Sequence, residues 1–389
     1  MADKLRISRV EVFETEYTVR DWGLDPKVPS AIYDPGNRYE AKALGLRVFT
    51  DEGLTGDYFG GYKVEYAGIP AFVRGVIGKN ALQREDIYYD AKHALRQHAR
   101  LGLGVIDIAL WDLAGKYYKA PVYQLLGGTP RRLLCYASTA LGDHHPKGLS
   151  SPEAYADFAE RCLELGYRAY KIHGWSDAPI EKQIAVVNAV GKRVGDKMVL
   201  MLDPFCSIDK FGDALRLGWA CDEYKFFWWE DPYKDGGVSA FAHRKLRQLV
   251  RTPLLQTEHI RGLEPHVDFI VAEGTDFVRG DAHYDGGITG VMKIAHAAEG
   301  FGIDCELHGA SGPHRHIMCS VRNMNYLETG LFHPAAEPAR PPMVKSGYPA
   351  QLESIGKDGC VEPPSGPGLG IEYDWEYITK HQSDHAIYE

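Results

Sequence analysis

Met198-Val199-Leu200-Met201-Leu202-Asp203-Pro204 is an apolar run that stops on an acid; Lys225-Phe226-Phe227-Trp228-Trp229-Glu230-Asp231-Pro232 and Leu254-Leu255-Gln256-Thr257-Glu258 repeat the figure. The three are spaced by about one strand, one helix and two loops, the rhythm of a parallel sheet whose crossovers are helices. The strand candidates within them are Met198 to Leu202, Lys225 to Trp229 and Leu254 to Gln256. Working outward, similar runs lie upstream at Leu134 to Ala137 and Ala169 to Ile172, and downstream at Phe277 to Arg279, Ile303 to Leu307 and Met324 to Leu327. Eight such runs fit a closed barrel better than an open sheet, so the chain is read as α/β, with a barrel beginning near Leu134.

Ahead of the barrel, the β-type runs Ile7 to Glu14 and Ala43 to Thr50 alternate with the turn-rich stretches Asp34-Pro35-Gly36-Asn37 and Asp51-Glu52-Gly53, which predicts a small antiparallel sheet. A helical region from about Arg84 to Tyr118 follows, carrying Val105, Ile108, Leu110 and Leu113 at helical spacing until Pro121 stops it. Beyond Thr329, Pro341-Pro342 and the stretch Pro363 to Gly368 mark a wrapping tail, and His381 to Glu389 reads as loose.

With 389 residues, the chain is long enough for two structural units, or for a barrel with an attachment. A net charge of -9 with acids and bases intermixed argues against nucleic acid or an anionic membrane as partner. No apolar run reaches the roughly eighteen residues of a membrane span, and Met1 to Arg6 has no signal-peptide core, so a cytoplasmic location is expected. The seven cysteines are scattered without a CxxC pair, which argues against disulfides and structural zinc.

From the second strand candidate to the eighth, each run ends in or beside an ionisable residue: Lys171 with His173, Asp203, Glu230, Glu258, Asp281, His308 and Glu328. Side chains at the carboxyl ends of barrel strands converge on one mouth. Three carboxylates from adjacent strands would repel one another there unless a hard divalent cation sat between them, so Asp203, Glu230 and Glu258 are expected to bind Mg2+. Lys171 and His173 are two apart and share a strand face, an arrangement in which the lysine charge keeps the imidazole available as a base. Asp281 and His308, one repeat apart, suit an oriented acid/base pair. The chemistry that needs this set is removal of a proton next to a carboxylate, where an enediolate must be neutralised. Lys171 and a protonated Glu328 are placed to help.

Gly104-Val105-Ile106-Asp107-Ile108-Ala109-Leu110-Trp111-Asp112-Leu113-Ala114-Gly115-Lys116, followed by Pro121 to Gly128, resembles the junction signature of the mandelate racemase branch of the enolase superfamily. The order of an acid/base strand, three metal carboxylates, an Asp/His pair and a final Glu is similar as well. The resemblance implies a (β/α)7β modified TIM barrel at residues 131–330 and an α+β capping domain at 1–130, with residues 331–389 returning to the cap. It further implies cap loops within Thr18 to Arg38 and around Gly60-Gly61-Tyr62 that select the substrate. His173 stands where the family often has a second lysine, which favours dehydration of a sugar acid to a 2-keto-3-deoxy acid, with His308 or His173 as general acid. The mouth-side loops carry Trp175, Lys234, His283, Tyr284, His314 and Arg315, a set suited to a polyhydroxylated acid. Two other readings compete: a racemase or epimerase with His173 and His308 on opposite faces of one carbon, and a silent relative that only binds metal and an acid. The expected partner is a small carboxylate, and assembly into a homo-oligomer is expected too.

Overall fold

The computed structural model describes residues 5–28, 30–347 and 351–389; residues 1–4, read above for a targeting signal, and Pro29, within the expected cap loop, lie outside it. The chain opens with β1 (Ile7–Leu24), β2 (Ala31–Thr50) and β3 (Thr55–Phe59), paired antiparallel in that order. Both long strands outrun the apolar stretches that announced them. The turn-rich Asp34 to Asn37 lies inside the span of β2 as an excursion from the ladder, where the pairing steps from Arg20↔Arg38 to Trp22↔Tyr33. Asp51-Glu52-Gly53 is a turn, with Gly53 at φ 79°.

After the short α1 (Lys63–Tyr66), the expected helical region is two helices, α2 (Arg84–Ala94) and α3 (Leu103–Tyr118). Ala99, Arg100 and Gly102 all take positive φ between them, a break that apolar periodicity cannot register. Buried on almost every face, α3 is a packing axis and not an amphipathic surface helix. Its signature residues act structurally. Asp107 accepts from the Thr289 amide (2.9 Å) and hydroxyl (2.6 Å), while Asp112 accepts from the amides of Asp57 and Leu369, both at 2.9 Å.

The short α4 (Val122–Leu125) leads to the barrel strands β4 (Leu133–Thr139), β5 (Ala169–His173), β6 (Val199–Asp203), β7 (Trp228–Glu230), β8 (Leu254–Gln256), β9 (Phe277–Gly280), β10 (Asp304–Leu307) and β11 (Leu327–Phe332). They are parallel in the order β10-β9-β8-β7-β6-β5-β4-β11, and a helix fills each of the intervals between successive strands: α5 (Pro152–Leu165), α6 (Ile180–Val194), α7 (Phe211–Glu223), α8 (Ala240–Arg247), α9 (Leu263–Val271), α10 (Gly287–Gly300) and α11 (Gly312–Met318). Local signals explain such elements: α5 starts where the Ser151 hydroxyl accepts from the Ala154 amide and ends at Gly166 with φ 121°.

Strand alternation sets the interior. Tyr136, Ala169, Met201, Trp228 and Leu255 fill the floor of the barrel, and Lys171, Asp203 and Glu230 lie two residues further along their strands, nearer the mouth. Trp229, out of phase, packs outward. The curled sheet closes between β10 and β11 without a strand ladder: the Cys305 amide donates to the Asn323 carbonyl (2.7 Å), and buried Glu306 accepts from Asn325 Nδ2 (2.7 Å) and the Asn325 amide (3.1 Å). This seam explains why the eighth strand begins at Leu327 and not at Met324, since residues 323–326 serve the closure.

The tail contains β12 (Val344–Ser346), β13 (Cys360–Val361), which pairs antiparallel with β4, β14 (Glu372–Tyr373) and α12 (Trp375–Lys380). The terminal residues read as loose form β15 (Gln382–Tyr388), antiparallel to β1 from Val10 to Thr15. A polar edge strand has no apolar alternation to reveal it; main-chain pairing holds it. Among the described residues, no helix is long and apolar enough to cross a membrane.

One packing contact ties the α3 axis to the barrel mouth. A Cβ on Gly104 would lie 2.5 Å from the Ala282 carbonyl oxygen and nearer still to that of His283. Gly104→Ala should therefore cost about 1–3 kcal/mol through backbone displacement, outweighing its gain of roughly 1 kcal/mol in helix propensity. A urea midpoint equal to or above wild type would show that the loop yields freely.

Candidate active site

Asp203 ends β6, Glu230 ends β7, and Glu258 follows β8 after Thr257, whose φ of 92° turns the chain so that Glu258 joins the other two. Each offers an oxygen, and the three oxygens lie within 4.8 Å of one another. Such a set fits a divalent cation. Burial raises the Glu230 carboxyl to about 7, with Asp203 and Glu258 adding to the effect against Arg279 and Lys171. Burial would raise Asp203 as well, but His173 and Lys171 hold it below the usual carboxylate range.

Lys171 is buried with its Nζ at 2.9 Å from Glu230, 3.0 Å from Glu328 and 3.6 Å from Asp203. Across the barrel, Arg279 Nε meets Glu230 at 2.7 Å, and its Nη2 donates to Glu328 (2.7 Å) and to the Tyr136 hydroxyl (3.0 Å). Two cations thus clasp two carboxylates beneath the mouth. The proton expected on Glu328 is opposed by this arrangement. Although burial would raise its pKa, Lys171 and Arg279 hold it well below the usual range, and the Gly309 amide donates to it at 2.6 Å. Arg279 closes the strand candidate Phe277 to Arg279 but was passed over in favour of Asp281 two residues on. The signal was period two: Phe277, Arg279 and Asp281 share one strand phase.

His173 lies deep, 3% exposed, with Nδ1 at 2.7 Å from the Thr139 carbonyl and Nε2 at 2.9 Å from Asp203 Oδ2. A carbonyl can only accept, so Nδ1 carries a proton and Nε2 is the atom turned to the acid cluster. His308 donates from Nδ1 to Asp281 (2.7 Å), its Nε2 is 3.3 Å from Glu258, and Tyr284 stacks on its ring at 5.9 Å. Burial works against the charged imidazole, but Glu258 and Asp281 outweigh it and push His308 up to about 9. Asp281 serves a second histidine: His283 Nδ1 donates to it at 2.8 Å, leaving Nε2 to accept from the hydroxyl of Tyr58 on cap strand β3. A hydrogen-bonded chain therefore runs from the cap through His283 and Asp281 to His308.

Of these groups, Asp281, His308 and Glu328 line a cavity of about 500 Å³ from the barrel side, and Tyr58 and Gly60-Gly61-Tyr62 line it from the cap. His283, Tyr284 and Arg315 of the six loop residues line it too, together with Lys42 and Arg340, which local patterning did not single out. The other three are engaged elsewhere: Trp175 donates to the Asp143 carbonyl (2.8 Å), Lys234 pairs with Asp209 (2.7 Å), and His314 Nε2 accepts from the Ala282 amide (3.1 Å). Among the described residues, the stretch Thr18 to Arg38 contributes nothing to the lining, and Tyr17 stands at its edge.

The family model for the mandelate racemase / muconate lactonizing enzyme N-terminal domain matches residues 36–127, and the enolase C-terminal domain-like model matches 154–377. Among curated relatives, D-gluconate dehydratase of Thermoproteus tenax is 25% identical over 293 residues, which span 72% of this chain and only 56% of that protein. D-galactarolactone cycloisomerase of Agrobacterium fabrum is 27% identical over 379 residues, 93% of this chain and 97% of the relative. The solved structure of D-glucarate dehydratase from Agrobacterium tumefaciens complexed with magnesium superposes with a TM-score of 0.87 at 30% identity, covering 98% of this chain and 100% of that one. The barrel with its α+β cap and both family matches agree: the chain belongs to the enolase superfamily, in its mandelate racemase branch.

Proposed function

We propose that this protein removes the proton α to the carboxylate of a sugar acid and dehydrates the acid to a 2-keto-3-deoxy acid. The observation that carries the reading is the meeting, at one mouth, of three clustered carboxylates with a histidine that its aspartate orients toward the cavity. Asp203, Glu230 and Glu258 would hold Mg2+; their all-oxygen donor set and mutual repulsion match that ion. When bound, it supplies positive charge against the second negative charge that develops on the substrate carboxylate.

The chain's own groups then have separable tasks. Lys171 keeps its positive charge among Glu230, Glu328 and Asp203 and faces the developing anion. His308 transfers protons at Nε2, while Asp281 fixes Nδ1 and stabilises the imidazolium. Neutral His308 takes the α proton at Nε2, and the imidazolium so formed gives that proton to the hydroxyl of the next carbon, which leaves as water. His173 can exchange a proton only at Nε2, on the Asp203 side. Glu328 braces Lys171 and Arg279. Dehydratases of sugar acids among the relatives, and the polar cavity walls contributed by Lys42, Tyr62, His283 and Arg340, support a hydroxylated acid as substrate.

The cycloisomerase relative and the two histidines keep an isomerase or epimerase as the second reading. A panel of sugar acids in deuterium oxide with Mg2+ separates them: a dehydratase yields a keto acid trapped by semicarbazide, whereas an epimerase returns deuterated acid. Turnover should vanish with EDTA and return with Mg2+. No exchange and no product with any carboxylate would leave only a binding role.

A further inference from the structure

Beside the carboxylate cluster, Cys206, Asp231 and His259 offer a second group of donor atoms within 4.8 Å of one another. They come from the segments that follow β6, β7 and β8, next to the strand ends that present Asp203, Glu230 and Glu258, yet the groups share no residue. Cys206 Sγ lies 3.4 Å from His259 Nε2, and His259 Nε2 lies 3.4 Å from Asp231 Oδ2. With zinc bonds of roughly 2.3 Å to sulfur and 2.0–2.2 Å to nitrogen and oxygen, tetrahedral angles separate donors by about 3.4–3.6 Å. The observed spacing matches that figure and exceeds the usual ~2.9 Å of a nitrogen–oxygen hydrogen bond.

An independent observation concerns Asp231. It is 2% exposed, and neither of its carboxylate oxygens accepts a hydrogen bond. A buried carboxylate without a donor is costly. The neighbouring Gln256, fully buried, also leaves both side-chain polar atoms without a hydrogen-bond partner, so no amide donor quenches the acid. The carboxylates of Glu230 and Glu258 alongside give it no hydrogen bond either. A cation on the His259 side could satisfy it. His259, with a side chain 37% exposed, leaves a path from solvent.

The geometry points to a second metal site, formed by Cys206, Asp231 and His259, that takes a borderline ion of the zinc class in addition to the magnesium held by the three carboxylates. The ligand chemistry discriminates between them. Thiol sulfur and imidazole suit zinc or cobalt, whereas magnesium demands an all-oxygen octahedral shell. Occupancy would tie together the three segments next to the strand ends that present Asp203, Glu230 and Glu258.

The test uses the full chain saturated with Mg2+ and titrated with Co2+ as a spectroscopic probe for zinc. The expected result is one equivalent of cobalt bound with a thiolate-to-cobalt charge-transfer band, with magnesium content unchanged and the melting temperature raised. Cys206→Ser should abolish the band, and His259→Ala should weaken cobalt and zinc binding at least about 100-fold, the upper end for losing an outer-shell partner. The site is refuted if wild type shows no charge-transfer band at saturating cobalt, leaving the Cys206–His259 contact a hydrogen bond. It is equally refuted if Cys206→Ser keeps the band, or if each cobalt bound releases one magnesium from Asp203, Glu230 and Glu258.

Discussion

His308→Gln should lower kcat by a factor of roughly 10² to 10⁴, the range for losing a positioned general acid or base. Magnesium affinity and melting temperature should stay near wild type. The imidazole borders the cavity and is oriented by Asp281 Oδ2 at 2.7 Å, and its Nε2, unlike that of His283, is not taken up by the cap residue Tyr58. That nitrogen points toward Glu258 at 3.3 Å, so it sits where the carboxylate cluster and the cavity meet. Glutamine retains a hydrogen-bonding amide without proton-transfer capacity, which isolates the chemical role. Turnover within about tenfold of wild type would remove His308 from the acid/base role and shift attention to His173.

Arg279→Met should be the most destabilising single change near the site, costing about 3–5 kcal/mol, the range for leaving a buried charge uncompensated. The guanidinium is fully buried and contacts Glu230 and Glu328, both at 2.7 Å. Without it Lys171 alone faces both carboxylates in a place that water does not reach. Added Mg2+ should recover part of the loss, because it brings positive charge to Glu230, and this recovery distinguishes an electrostatic origin from a packing defect. Arg279→Lys should fall in between, since a lysine keeps the charge but lacks the planar fork that meets Glu230 through Nε and Glu328 and Tyr136 through Nη2. A urea-derived loss under about 1 kcal/mol, the scale of an exposed pair, would mean that the network contributes little to folding.

The two substitutions divide the site into what local pattern reveals and what it hides. Asp203, Glu230 and His308 were legible because each ends an apolar run, and an acid or imidazole at such a place is conspicuous against its neighbours. Glu258 was legible for the same reason, although it needs the left-handed turn at Thr257 to reach the cluster. Arg279 was hidden inside a strand, where only its phase relative to Asp281 marks it as inward. Tyr58, Lys42 and Arg340 were hidden more deeply, since they come from cap strands and the tail and reach the cavity only when the distant parts of the chain are folded together. The lowered pKa of Glu328 belongs with them: a residue's acidity follows from its neighbours in space, here Lys171 and Arg279.

The terminal strand and the barrel seam show the same division at the level of fold. β15 has no apolar alternation, and its pairing with β1 joins residues more than 360 positions apart. The seam between β10 and β11 is made by Glu306 and two asparagines, residues that composition assigns to loops. By itself the sequence determined the repeat of strand and helix, and with it the barrel and the ring of ionisable groups, because strand phase and helix periodicity are written in residues close together along the chain. Only the tertiary structure decided which charges neutralise one another, which histidine borders the cavity and how the sheet closes, because Coulomb energy and hydrogen bonding depend on separation in space, which sequence distance does not set.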